Sequence, residues 1–197
     1  MKIQLAVIPV AILLMLLALA VGISKLFLLG GVITQPFIPL LLPNHGELMV
    51  FGFLAILLAT ERYIGALAFP LHPIIHIMPF LVAAGAVIQI LGWVVNILPL
   101  VVIGSVLLVA GFGIYIYLIT AIGKHSAQPL PFRYMSLAAI TLICASIIGI
   151  RFSPVGNLPF SMLLLGFPIL TILGERVELT RFVAPTISSQ ARHGIWI

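Results

Sequence analysis

The residues able to do chemistry in this sequence are few, and most sit at the edges of long apolar runs. His45 opens one of them, in Asn44-His45-Gly46-Glu47-Leu48-Met49-Val50-Phe51. On a helix, His45 and Met49 are spaced i, i+4 and share a face. Gly46 leaves room for a large planar group to approach the backbone. An imidazole in that place is a candidate axial ligand for haem iron, with Met49 and Phe53 packing beside it, or less readily a copper ligand. The competing reading is a histidine that closes the start of the helix at the membrane interface. His72 and His76 form a second candidate metal pair, H-x-x-x-H, whose rings share a face if both lie on a helix. Pro73 marks a helix start, however, which puts His72 just outside it. No acid follows His72, so zinc-protease chemistry has no support. His125 and His193 fall in polar stretches and read as surface residues.

The acids are Glu47, Glu61, Glu175 and Glu178, with no aspartate in the chain. All four lie at the ends of two related apolar segments. Glu61-Arg62, Glu175-Arg176 and the i, i+3 pair Glu178 and Arg181 predict an ion-pair network at one membrane boundary. Ionisable groups at membrane depth are costly and usually face a protein interior or polar cavity. The network therefore reads as a structural clamp, with a proton-conducting or anion-binding site as the functional alternative.

These residues need a scaffold, and composition names its class. The chain has 197 residues, 63% of them hydrophobic and 7% charged, with a mean hydropathy of +1.36. Soluble domains carry about 45–50% apolar and about 25% charged residues. A soluble domain and a disordered chain are both excluded. The net charge of +5 reads as loop charge that orients a membrane protein, with no call for nucleic acid. Cys144 is alone and permits neither an intrachain disulfide nor a cysteine metal site.

A bilayer core about 30 Å thick takes roughly 20 apolar residues as helix. Six runs meet or approach this, at about residues 3–29, 46–60, 74–95, 98–122, 134–150 and 159–174. The expected fold is an all-α, six-helix integral membrane domain over residues 1–183, with a polar tail at 184–197. Seven bases fall on one side of this layout and two, Lys25 and Arg151, on the other. The positive-inside rule then puts both termini in the cytoplasm of a multi-pass plasma-membrane protein. The lipid bilayer is the expected partner, with a membrane protein or a second copy as further candidates. Asn96-Ile97-Leu98-Pro99 reads as a tight turn, and Gly111-Phe112-Gly113 as close helix packing.

The second and sixth segments share Gly-Phe and Glu-Arg at a constant offset of 114 residues: Gly52, Phe53, Glu61 and Arg62 against Gly166, Phe167, Glu175 and Arg176. A parallel repeat of four-helix units is one reading, and convergence of two helix ends the other.

The stretch His45-Gly46-Glu47-Leu48-Met49-Val50-Phe51 resembles the H-G-x-x-M-x-F stretch of haem-copper oxidase catalytic subunits. In that family the histidine is an axial ligand of the low-spin haem near the outer end of the second helix. The NnrS-like proteins of nitric-oxide response are similar as polytopic, histidine-bearing proteins associated with haem and copper. The longer pattern, His45–Leu54 with Glu61-Arg62 and then Leu170–Arg181, looks closest to a group of little-characterised prokaryotic membrane proteins. The resemblance implies haem b at His45 and a role in electron transfer or in handling NO or O2. The departures are clear: Pro159 stands where the repeat would supply a second ligand, and no histidine cluster for copper exists. Oxygen reduction by this chain alone is not expected. The alternatives are a non-catalytic subunit of a larger membrane complex, or a small transporter or channel using intramembrane glutamates.

Overall fold

A computed structural model describes residues 7–36, 39–66, 73–124, 130–151 and 165–174. All regular structure among them is helical. Helix α1 is Val7–Leu29, and α2 runs through residues 45–66. Helix α3 is Met78–Val94, preceded by a 3-10 turn at Pro73–Ile77; α4 is Leu98–Lys124 and α5 is Leu130–Arg151. A shorter helix, α6, covers Leu165–Gly174. Five helical segments are long and apolar enough to cross a membrane: Val7–Leu29, Leu41–Ile64, Pro73–Val94, Leu98–Ile122 and Pro131–Ile150. The second span is longer than the apolar run implies, because the helix continues through Thr60, Glu61 and Arg62 to Ala66. The fifth begins before Tyr134, since Pro131 sits in the first turn, where its missing N–H costs nothing.

Helix ends follow local chemistry. After α1 the chain turns through Gly31 at φ 68, and Val32 N–H donates to Phe27 O at 2.9 Å. After α3, Asn96 takes the left-handed conformation at φ 56, and Ile97 N–H donates to Gly92 O at 2.9 Å. Both are helix-closing turns that need a residue tolerant of positive φ, and Gly and Asn are the types that tolerate it.

The contacts make the bundle antiparallel from helix to helix. Gly22 of α1 meets His45, while Gly52 of α2 meets Leu14 and Ile90. Tyr63, near the end of α2, bonds His76 before α3. Ends bearing Arg62, Lys124 and Arg133 thus share one side, and those bearing Lys25 and Arg151 the other.

Glycines set the closeness of α3 and α4. A Cβ at Gly104 would lie 2.4 Å from the backbone N of Gln89, and one at Gly85 would lie 2.7 Å from that of Leu108. Gly92 against Val101 and Gly111 against Val82 repeat the arrangement along the hairpin. Lipid offers no hydrophobic drive between helices, so close backbone approach supplies the van der Waals contact that holds them. A polar knot ties in α5. Gln89 Nε2 donates to Ser105 Oγ at 2.7 Å and to Ser146 O at 3.2 Å, and Ser146 Oγ donates to Gln89 Oε1 at 3.1 Å. Trp93 Nε1 adds a bond to Gly149 O at 3.1 Å. Helix α6 seats Phe167 edge-on against Phe112 of α4, with ring centroids 6.1 Å apart.

Candidate functional site

The candidate site lies where α1 meets the start of α2. Sequence dictates its position: the 3-10 turn Pro39–Asn44 delivers His45 and Glu47 into the first helical turn. The next eight residues, Leu48–Ala55, form a π-helix before the α-helix resumes at Ile56. Such π segments are rare and frequently occur at functional sites.

The His45 ring is half-buried against α1. A Cβ at Gly22 would stand 2.8 Å from its Cε1 and 3.2 Å from its Nε2, so only glycine leaves the ring its place. Nδ1 of His45 is buried and makes no hydrogen bond. An orphaned ring nitrogen is uncommon, because leaving a buried donor or acceptor unmade costs about 1–3 kcal/mol.

Two residues on, Glu47 is 4% exposed within the second span. The charge of Lys25, itself exposed on α1, acts on its carboxylate, as does its own backbone N–H. Gly22 and Lys25 are spaced i, i+3 and share the face of α1 that meets α2. Ser24 and Asn44 are buried alongside these helix ends. The site therefore gathers a histidine nitrogen, a carboxylate and an ammonium at the end of two helices. Among the described residues no group of three or more His, Cys, Asp or Glu is placed to hold a metal ion.

The other expected residues are dispersed. Met49 and Phe53 are half-buried and lean on the hydrophobic core, while Gly46 is exposed. His76 is exposed and its Nδ1 lies 2.7 Å from the Tyr63 hydroxyl. His72, His125 and His193 lie outside the described residues. So do Glu175, Arg176, Glu178 and Arg181. Of the expected ion-pair network only Glu61, exposed, and Arg62, half-buried, are described. His45 and the His76 turn stand at opposite ends of the bundle, as the layout of the spans requires.

The two halves of the expected repeat differ in what they bury. Helix α2 buries Gly52, Ala55, Ile56, Ala59 and Thr60, whereas α6 buries Phe167, Thr171 and Gly174. At the common offset, Thr171 corresponds to Leu57, which is exposed.

Sequence reasoning missed Gly22 and Lys25 as parts of the site, and Gln89 as the centre of the knot. Gln89 had a signal: it is a glutamine in the middle of an apolar run, where polar side chains commonly bond across helices. Gly22 had none, since nothing in the sequence pairs it with His45.

A family model covers almost the whole of this architecture, from residue 5 to residue 195. The chain belongs to the DUF8744 family, described as a domain of unknown function. No curated protein and no solved structure matches it. Residues 5–195 of this DUF8744 chain take in all of its described helices, His45 and Glu47 included.

Proposed function

We propose that this DUF8744 protein is a multi-pass membrane protein that binds haem through His45, for electron transfer or for handling a diatomic gas such as NO or O2. The observation that carries the reading is the His45 ring itself. It is half-buried at a membrane-boundary helix start, cleared by Gly22, and turns an unpartnered Nδ1 into the protein. His45 is the described residue that would hold such a group. Met49 and Phe53 face the core, so a second protein ligand is not among the site residues. A bound haem would supply one-electron exchange and an open coordination position. The chain's own part is to hold the ligand ring by packing on α1, with Glu47 and Lys25 on the same two helix ends.

The test is the absorption spectrum of detergent-purified protein, oxidised and dithionite-reduced, after expression with haem supplied. The expected result is a Soret band and a sharp reduced α band, both lost in His45→Ala. A colourless wild type would overturn the haem reading.

One observation favours a second reading, a small transporter. Glu47 is a carboxylate 4% exposed inside a span, and such groups mark ion or substrate paths more often than they mark structure. Cation flux into proteoliposomes, lost in Glu47→Gln and kept in His45→Ala, would favour transport over haem.

A further inference from the structure

Gly111-Phe112-Gly113 divides its work. Gly111 packs against Val82, with a Cβ there only 2.7 Å from Val82 Cγ2, whereas among the described residues nothing lies within 4 Å of a Cβ at Gly113. The missing side chain at Gly113 opens a shallow groove on α4, lined by Ile74, Ala110, Gly113, Ile114 and Tyr117. Ile74 belongs to the 3-10 turn before α3, so the groove lies near the end of the bundle that carries Lys124 and Arg133. Its walls are apolar except for Tyr117. That side chain is half-exposed. Thr120, one turn on, is satisfied by its own helix, donating to Ile116 O at 2.8 Å.

We propose that this groove binds one anionic phospholipid of the leaflet at the Lys124 end. The argument starts from position. Gly113 and Tyr117 are exposed on a helix long and apolar enough to cross a membrane, a face that would meet acyl chains in a bilayer. A groove there takes a chain alongside Ala110 and Gly113, where a larger side chain would stand in its way. Tyr117 supplies a hydroxyl for the phosphate or ester oxygens, in the manner of tyrosines at membrane interfaces. Ala110, Gly113, Tyr117, Thr120 and Lys124 follow one another at i, i+3 and i, i+4 spacings, a single stripe of the helix. Lys124 is about 10 Å beyond Tyr117 along the axis. By position along the helix the stripe passes from the apolar groove to Tyr117 and then to Lys124 at its end, an order that matches acyl chain, ester and anionic headgroup. Basic residues at a membrane surface favour anionic lipid by the same electrostatics.

The experiment reconstitutes the full chain in nanodiscs of equimolar phosphatidylglycerol and phosphatidylcholine, extracts it in detergent, and counts retained lipid by native mass spectrometry. Wild type is expected to keep one phosphatidylglycerol per chain. Gly113→Leu, which fills open space and should leave folding intact by thermal shift, is expected to lose it. Lys124→Gln is expected to keep a lipid while its preference for phosphatidylglycerol falls about fivefold, the effect of one basic residue at the surface. Equal lipid on wild type and Gly113→Leu would overturn the proposal. So would a wild-type dimer that Gly113→Leu converts to monomer with no change in lipid, since a second copy would then fill the groove.

Discussion

Two polar regions inside the same apolar bundle are built on opposite terms. At the Gln89 knot, three helices contribute Gln89, Ser105 and Ser146, and each side-chain amide or hydroxyl has a partner. At the α1–α2 contact, His45 Nδ1 has none and the Glu47 carboxylate is buried with an exposed lysine as its charged neighbour. In hydrocarbon an unmet polar group is expensive, and a met one costs little. The unmet ring nitrogen of His45 adds nothing to stability, whereas the knot does. That difference separates Gln89, a fastening with every group met, from His45 and Glu47, the residues the proposed function rests on.

The comparison can be broken hardest at the fastening. Gly104 stands with a would-be Cβ 2.4 Å from the backbone of Gln89, and backbone cannot swing aside. Gly104→Ala should cost about 3 kcal/mol, the upper end for overpacking a close contact, and Gly104→Leu should prevent folding. Thermal unfolding in detergent measures it. An unchanged midpoint for Gly104→Ala would mean that the α3–α4 hairpin is looser than its glycines imply. The next largest effect belongs to Gln89→Leu. The Ser105 hydroxyl keeps its bond to Ser146 O at 3.1 Å, so only the Ser146 hydroxyl is orphaned. A loss of about 1–2 kcal/mol is expected, near the top of what interhelical hydrogen bonds contribute in membranes.

How far the sequence disclosed this can be judged from particular residues. The spans were legible because mean hydropathy over 20 residues is a property of the chain alone. The turn at Asn96 was legible because its residue type tolerates positive φ, whereas the helix start at Leu130–Pro131 was hidden in a stretch that reads as polar loop. His45 was legible as a candidate because a histidine opening an apolar run has few other uses. What was hidden needed a second helix. Gly22 matters only because His45 lies against it, and Gly111 and Gly113 look alike in sequence but face a helix and open space respectively. The shared Gly-Phe and Glu-Arg pairs of α2 and α6 were visible, but the faces those helices bury were not. The π-helical Leu48–Ala55 sets the buried face of α2, and no composition rule announces it.

Between knot and site stands Gly22→Ala. Its Cβ would press on Cε1 of His45, the end of a side chain that can rotate, so the cost should be about 1 kcal/mol. Its informative effect is on the ring. If His45 holds haem, this variant should shift the Soret band or weaken haem retention while the protein stays folded. An unaltered spectrum at full haem occupancy would separate the ring's packing from its ligand role.

The smallest effect on stability should come from Glu47, the buried carboxylate of the candidate site. Glu47→Gln keeps the shape of the side chain and removes a charge whose burial is costly, while Lys25 is exposed and can be solvated without it. The unfolding midpoint should therefore stay level or rise. Function, whether redox turnover or flux, should fall, because the substitution abolishes the one ionisable carboxyl placed at the His45 end among the described residues. Glu61→Gln is the control: Glu61 is exposed at the opposite end and should change neither readout. A Glu47→Gln protein that loses stability and keeps function would reverse the comparison, making the Glu47 carboxylate with Lys25 a fastening of the same kind as Gln89 with Ser146.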